Sequence, residues 1–235
     1  MKTSKLLITM VLSCFLTSVY SQKSKTFILN FKAVYNQIVF FQPGKYLAAG
    51  DGDSIKINIL KFYISDISFQ NRQKPVYKEK VRFHLVNVFD SAMDHIKLSK
   101  AVNSKNDILK FSVGIDSATN AAGALSGALD PVNGMYWTWQ SGYIHFKLEG
   151  SKKHGNEKAQ NFQYHIGGYQ FPFNSVREIT LKSSNNDTLA IYVDIEKLLN
   201  TYDDVPVQNI MSPGFPAMQL ANQFQSILSI RKNEP

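Results

Sequence analysis

The chain has 235 residues, one cysteine and a formal net charge of +8. This length is enough for one sizeable core, and all-β chains of this size often form a single domain. Beyond the N-terminus no run approaches the roughly 20 apolar residues of a membrane-spanning helix, so an integral membrane protein is not expected. The lysines and arginines are scattered rather than clustered, which argues against a nucleic-acid partner.

Residues 1–21 have the pattern of a secretory signal peptide. Two lysines precede a short apolar run, and Val19 and Ser21 suit the positions before a cleavage site ahead of Gln22. The pattern predicts an exported protein, periplasmic or secreted, whose mature part, residues 22–235, is a single domain.

Cys14 offers an alternative to simple cleavage. The run Val-Leu-Ser-Cys that ends at Cys14 has the form of a lipobox, which would make Cys14 a lipidated N-terminus. Cleavage after Ser21 instead leaves no cysteine, so the mature protein must be stabilised by its core alone or by a metal.

Period-two alternation of apolar residues dominates the rest of the chain. Ile55, Ile57 and Ile59 alternate with polar residues, and clusters of Gly, Pro, Asn and Asp separate the alternating runs. This patterning predicts an all-β fold, an antiparallel β-sandwich that is immunoglobulin-like or related. The predicted strands cover about residues 26–32, 54–70, 81–89, 107–116, 136–149, 162–169, 176–183 and 187–195.

Two segments depart from simple alternation. Within residues 60–67 the phase of the apolar pattern shifts, which indicates a β-bulge. From Pro216 onward apolar residues recur at helical spacing, which predicts a short C-terminal helix.

The least ordinary segment runs from Gly114 through many small residues into a stretch that holds both tryptophans. That stretch, Gly134 to Gly142, reads Gly-Met-Tyr-Trp-Thr-Trp-Gln-Ser-Gly. Residues 60–67 precede it, and the run Phe-Gln-Tyr-His-Ile-Gly-Gly at 162–168 follows it. Together these segments resemble the MbnP-like family, over roughly residues 26–230.

The resemblance implies a cell-envelope β-sandwich that binds copper and takes part in copper handling. It also implies a maturation partner, an enzyme similar to dihaem peroxidases, that oxidises a tryptophan to kynurenine. By their position in the motif, Trp137 and Trp139 resemble the tryptophans open to this modification.

Strand pairing gives a separate reason to expect a metal. If residues 136–149 form one regular strand, Trp137, Trp139 and His145 share a face. Pairing this strand with 162–169 so that the apolar faces coincide places His145 opposite His165, close enough for two imidazoles to hold one metal. Imidazole ligands suit copper and zinc alike.

The histidines also have a simpler interpretation. His84 lies on the predicted strand 81–89, in phase with the alternating residues of that strand, and is a possible third ligand. All three residues are also consistent with ordinary strand histidines that are solvated or hydrogen-bonded, which is the favoured interpretation of His84. His95 and His154 fall in predicted loops and are expected to be exposed.

The loop 117–135 predicts a rival function. Loops of this length are often functional, and Asp116, Asn120, Asp130 and Asn133 could bind a ligand or simply form turns. With exposed aromatic residues, the loop would suit a metal-free binding or interaction module for a glycan or a protein partner. No Gly-x-Ser-x-Gly element is present, and an enzyme is not expected.

Overall fold

The structure, a computed structural model, describes residues 26–40, 42–50, 52–99, 107–140, 142–183, 187–202 and 209–231. The signal peptide and Cys14 lie outside these residues, so their assignment stays a prediction. Strands β1 to β15 span Ile28–Tyr35, Ile38–Val39, Tyr46–Gly50, Asp53–Asn71, Lys74–Lys78, Phe83–Asn87, His95–Lys97, Ile108–Val113, Tyr136–Trp137, Gly142–His154, Gln160–Gly167, Arg177–Lys182, Thr188–Asp194, Asn209–Ile210 and Leu228–Ile230. Helices α1 to α4 span Ser117–Ala121, Ile195–Leu199, Phe215–Ala221 and Phe224–Ile227.

Within the described residues the strands form two sheets. The five-stranded sheet has the order β15-β13-β1-β2, and β7 also pairs with β1. The ten-stranded sheet has the order β12-β8-β4-β10-β11-β14, with β3, β5 and β6 paired to β4, and β9 paired to β10. The 19-residue strand β4 is therefore the member that most of the larger sheet is built on.

Aromatic side chains hold the two sheets face to face. Phe31 of β1 lies edge-on to Phe62 of β4, with ring centroids 5.3 Å apart, and Phe27 lies edge-on to Phe69 at 5.2 Å. Such pairs add about 0.5–1.5 kcal/mol to the gain from burial alone. These contacts confirm the predicted all-β sandwich.

The predicted bulge and the predicted C-terminal helix are both present. The pairing of β4 with β8 shifts between Ser65 and Ser68, where Asp66 has φ +52°. α3 has Pro216 in its first turn, and the short helix α4 follows it with Phe224 buried in the same core. None of the helices in the described ranges has the length and apolar character needed to cross a membrane.

The sheets are mixed rather than wholly antiparallel. β1 pairs in parallel with β13, from Ile28 opposite Thr188 to Val34 opposite Asp194, and β11 pairs in parallel with β14. Turn residues predict pairing only between consecutive strands. Pairing between strands far apart in the chain leaves no such local signal.

The predicted strand 136–149 is wrong, because it is two strands. β9 ends at Trp137, a turn follows, and β10 begins at Gly142, which lies opposite Trp137 in an antiparallel pair. The chain therefore reverses direction at Trp139. The face that Trp137, Trp139 and His145 were predicted to share does not exist.

Gly150 provides a test of the β4–β10 packing. The pairing of β10 with β4 shifts register between Glu149 and Gly150, and a Cβ on Gly150 would overlap the carbonyl oxygen of Lys56 and lie 2.6 Å from the Phe162 ring. We expect Gly150→Ala to lower the free energy of unfolding by about 1–3 kcal/mol, because the clash is with backbone. Urea denaturation measures this change.

Gly142→Ala is the matched control. It lies on the same strand, but a Cβ there would have its nearest neighbours at 3.9 Å, an ordinary contact distance. Equal loss of stability in the two variants would contradict the packing described for Gly150.

Candidate functional site

A cavity of about 380 Å³ lies beside Trp137. Its wall combines the β9–β10 turn with the segment that follows β11. Aromatic rings, prolines and two glutamines make up most of this wall. The lining residues are Trp137, Gln140, Gly142, Gly168, Tyr169, Gln170, Phe171, Pro172, Phe173 and Pro213, and none of them is charged.

The two tryptophans have different surroundings. Trp137 is 5% exposed and packs in a small core with Tyr63, Met135 and Tyr143. Trp139 is 67% exposed, and its ring centroid lies 6.2 Å from that of Trp137. Of the pair, Trp139 is therefore the residue that another protein can reach.

Two glycines allow Trp137 to occupy its position. A Cβ on Gly167 would lie 2.6 Å from the Trp137 ring and 2.5 Å from the carbonyl oxygen of Tyr143. Gly168 has φ +121°, and a Cβ there would lie 2.5 Å from the carbonyl oxygen of Phe173. The Gly-Gly pair after β11 is thus required by the close approach of the indole and by the turn into the cavity wall.

The indole N–H of Trp137 is a buried donor without a partner. Among the described residues it is the one buried side-chain polar atom that lacks a hydrogen bond. Leaving a buried donor unpaired costs about 1–3 kcal/mol.

His145 is connected to the cavity wall by hydrogen bonds from inside the protein. Its side chain is fully buried. Asn120 Nδ2 donates to His145 Nε2 over 3.3 Å, and His145 Nδ1 donates to Ser175 Oγ over 3.0 Å. The Ser175 hydroxyl in turn donates to the carbonyl oxygen of Gly168 over 3.3 Å. A continuous chain of hydrogen bonds therefore runs from α1 to the wall.

The surroundings fix the protonation state of His145. Asn120 cannot be turned around, because its Oδ1 accepts from the Tyr143 N–H at 2.9 Å and its Nδ2 donates to the Ile115 carbonyl at 2.7 Å. His145 Nε2 must then accept, and Nδ1 carries the proton. Loss of solvent lowers the pKa of His145 from 6.5 to about 3. The imidazole is therefore neutral near physiological pH.

The predicted pairing of His145 with His165 is wrong by two residues. β10 and β11 are antiparallel as predicted, but His165 lies opposite Lys147, and the register shifts between Ile144 and Phe146. His165 Nε2 donates to Glu149 Oε1 over 2.8 Å, on the side of Lys147 away from His145. The two histidines face separate partners.

This arrangement does not fit copper at the predicted residues. Both ring nitrogens of His145 are used inside the core, and a metal on either would leave Asn120 or Ser175 unsatisfied. His84 lies on β6, which flanks β4 on the side opposite β10. In the part of the chain that the structure describes, no three His, Cys, Asp or Glu side chains form a metal-binding group.

The four polar residues named as ligand-binding candidates make hydrogen bonds that shape the loop 117–135. Asp116 Oδ1 accepts from the Thr119 N–H at 3.1 Å and caps α1, and Asp130 Oδ1 accepts from the Val132 N–H at 2.9 Å. Asn133 Nδ2 donates to the carbonyls of two loop residues, and Asn120 holds His145. These contacts match the interpretation of the residues as turn formers. The loop has structure of its own, namely α1 and two 3₁₀ turns.

Sequence reasoning missed the segment that supplies much of the cavity wall. The run Tyr-Gln-Phe-Pro-Phe at 169–173 is rich in aromatic residues yet lies outside any strand. Phe171 within it is 97% exposed. An aromatic cluster interrupted by proline beside a Gly-Gly pair was the available signal, because such a run cannot continue a strand.

Comparison with known proteins adds a family and a fold. The sequence profile of the MbnP family matches residues 24–212. MbnP from Methylosinus trichosporium is a similar solved structure, with a TM-score of 0.58 over 83% of this chain and 87% of that chain, at 14% identity. At this identity the likeness shows the fold alone. None of the curated proteins compared with the chain matches it.

The buried neutral imidazole of His145 predicts how the free energy of unfolding changes with pH. Because its pKa falls from 6.5 in the unfolded chain to about 3 in the folded protein, its contribution is complete above 6.5 and is lost as the pH falls towards 3. We expect His145→Gln to be less stable than the wild type near neutral pH, and the gap to narrow as the pH falls to about 4. Urea denaturation across this pH range measures the gap.

His154→Gln is the control with the opposite sign. The hydrogen bond to the Asp53 carboxylate raises the pKa of the exposed His154, so its contribution is present below 6.5 and is lost as the pH rises. The stability gap for this variant should widen as the pH falls. A gap for His145→Gln that stays constant across the range would contradict a buried neutral imidazole.

Proposed function

This chain belongs to the MbnP family, and on that premise we propose that it is an exported cell-envelope protein that binds a neutral carbohydrate beside Trp137. The observation that carries the proposal is an uncharged cavity walled by aromatic rings and side-chain amides. The predicted signal peptide and the family resemblance support the exported location.

The wall of the cavity suits a sugar in two respects. The rings of Tyr169 and Phe173, which line the cavity, offer apolar surfaces that favour the C–H faces of a pyranose ring. The amides of Gln140 and Gln170 can donate to and accept from hydroxyl groups. An anionic ligand would find no opposite charge in this wall, which disfavours it.

Phe171 supports a binding role for the same surface. A phenyl ring that is 97% exposed at the rim of a cavity leaves its apolar area in water. A ligand that covers this ring gains the free energy of removing it from water. Exposed apolar surface beside a cavity is typical of binding sites.

Copper handling, the function that the family resemblance implies, is the second candidate. Trp139 favours it, because its indole is 67% exposed at a turn where a dihaem-peroxidase-like partner could reach it. Trp137, which is buried, is the less accessible of the two. The histidine pair at 145 and 165 gives this candidate no support, since both ring nitrogens of His145 are hydrogen-bonded in the core and His165 lies opposite Lys147 rather than His145.

Sugar binding at the cavity predicts a change in the fluorescence of Trp137. In a Trp139→Phe variant Trp137 is the only remaining tryptophan. We expect saturable fluorescence changes on titration with neutral oligosaccharides of glucose, mannose or N-acetylglucosamine. Adding Phe171→Ala should weaken binding by about tenfold, roughly 1.4 kcal/mol, because the rim loses its ring.

Val76→Ala is the matched control for the loss of an exposed apolar side chain. Val76 is 55% exposed on β5 and does not line the cavity. This variant should bind as the wild type does. Sugar binding that is unaffected by Phe171→Ala, or an absence of any response to the neutral sugars, would contradict the proposal.

Mass spectrometry can measure both the cleavage of the signal peptide and the oxidation of a tryptophan. Protein isolated from its native envelope should begin near Gln22, and any conversion of tryptophan to kynurenine should be found at Trp139, because that ring is the exposed one. Mass spectrometry of the intact chain and its peptides measures both. A diacylglyceryl group on Cys14 would overturn the cleavage site, and kynurenine at position 137 alone would overturn the argument from exposure.

A further inference from the structure

A side chain of the first helix holds the wall of the cavity beside Trp137. The hydroxyl of Ser117, the first residue of α1, donates to the carbonyl oxygen of Tyr169 over 2.8 Å. Tyr169 lines the cavity, whereas Ser117 does not. The two residues are 52 positions apart in the chain, so this hydrogen bond joins the loop 117–135 to the wall.

The wall segment 169–174 is a loop whose two ends meet. The N–H and the hydroxyl of Ser175 both donate to the carbonyl oxygen of Gly168, over 3.0 Å and 3.3 Å. Ser117 adds an anchor at Tyr169, the residue that follows Gly168. Beyond this anchor, residues 170–173 make no hydrogen bond with any described part of the chain. The bond from Ser117 is therefore the last one before a stretch of backbone that hydrogen bonds do not hold.

The position of Tyr169 decides the shape of the wall. A Cβ on Gly142 would lie 3.9 Å from Tyr169 Cε1, so the Tyr169 ring lies next to β10, and both residues line the cavity. Gln170, whose amide is part of the same lining, follows Tyr169 directly. Movement of the Tyr169 backbone would therefore shift both a ring and an amide of the wall.

We propose that Ser117 is a positioning residue of the carbohydrate site, and this inference rests on the proposed function. Its hydrogen bond keeps the Tyr169 backbone in place before a ligand arrives, so that less conformational freedom is lost on binding. The helix α1 does not need this hydroxyl, because Asp116 caps the helix by accepting from the Thr119 N–H at 3.1 Å. Ser117 can thus be changed without removing the cap.

Calorimetric titration with the neutral oligosaccharides tests the effect on binding. Ser117→Ala should bind the sugar about three- to tenfold more weakly than the wild type, because the wall must then be ordered during binding. Ser117→Thr keeps the hydroxyl and should restore the affinity. Ser226→Ala is the matched control, since the exposed Ser226 hydroxyl also donates to a backbone carbonyl over 2.8 Å, that of Gln223, away from the cavity. This variant should bind as the wild type does.

Digestion with chymotrypsin gives a second measurement that needs no sugar. Cleavage after Tyr169 requires the protease to take up the carbonyl group that Ser117 holds, so its rate follows the population in which this bond is open. Ser117→Ala should be cut at this bond several-fold faster than the wild type, with no change at other sites. Ser117→Thr and Ser226→Ala should be cut at the wild-type rate, and the masses of the fragments identify the bond.

The two measurements separate this inference from the proposed function. Unchanged cleavage after Tyr169 in Ser117→Ala would overturn the inference, as would sugar affinity equal to that of the wild type or a loss of affinity that Ser117→Thr shares. Faster cleavage in Ser117→Ala with no response of any variant to sugar would overturn the proposed function and still support the hold of Ser117 on the wall.

Discussion

The imidazole of His145 has no contact with water, and hydrogen bonds inside the protein occupy both of its nitrogens. Through Asn120 it ties β10 to α1, and through Ser175 it ties β10 to the segment that walls the cavity. A Cβ on Gly114 would lie 2.9 Å from Nδ1 of His145. The close approach of the imidazole to the backbone therefore requires glycine at this position. Protonating Nε2 of this imidazole would break the hydrogen bond that Asn120 Nδ2 donates to it. The arrangement therefore depends on a neutral ring.

The residues that mark the family by sequence build one region of the structure. Trp137 packs in the small core under the loop 117–135. Because Gly167 has no side chain, the Trp137 ring can lie against it, and Gly168 allows the turn that follows. Tyr143 joins the same core, and its hydroxyl binds the backbone of that loop. These contacts position a cavity wall, and the neighbouring His145 is hydrogen-bonded to it at Nδ1 through Ser175.

Much of the fold could be predicted from local patterns. Alternation located the long strand β4 and its bulge near Asp66, because the phase of the apolar residues shifts there. The helix α3, which has Pro216 in its first turn, could likewise be predicted from the spacing of apolar residues. The parallel partner of β1 could not be predicted, since its pairing with β13 joins opposite ends of the chain and involves no shared turn.

The site was harder to predict because it depends on breaks in regular pairing. The turn after Trp137 separates it from His145. A one-residue register shift between Ile144 and Phe146 adds to an offset already present at Ile144, so that His165 lies opposite Lys147. Exposed aromatic residues were expected to take part in binding, yet their position beyond β11 was not.

The central claim is that His145 is a neutral, internally bonded imidazole, and long-range ¹H–¹⁵N NMR of the histidine rings tests it most directly. We expect that at about pH 5, below the ordinary histidine pKa, His145 keeps its proton on Nδ1 with Nε2 unprotonated. One equivalent of Cu(I) should leave both nitrogen signals unchanged. An imidazolium at that pH, or a shift of either signal on addition of the metal, would contradict it.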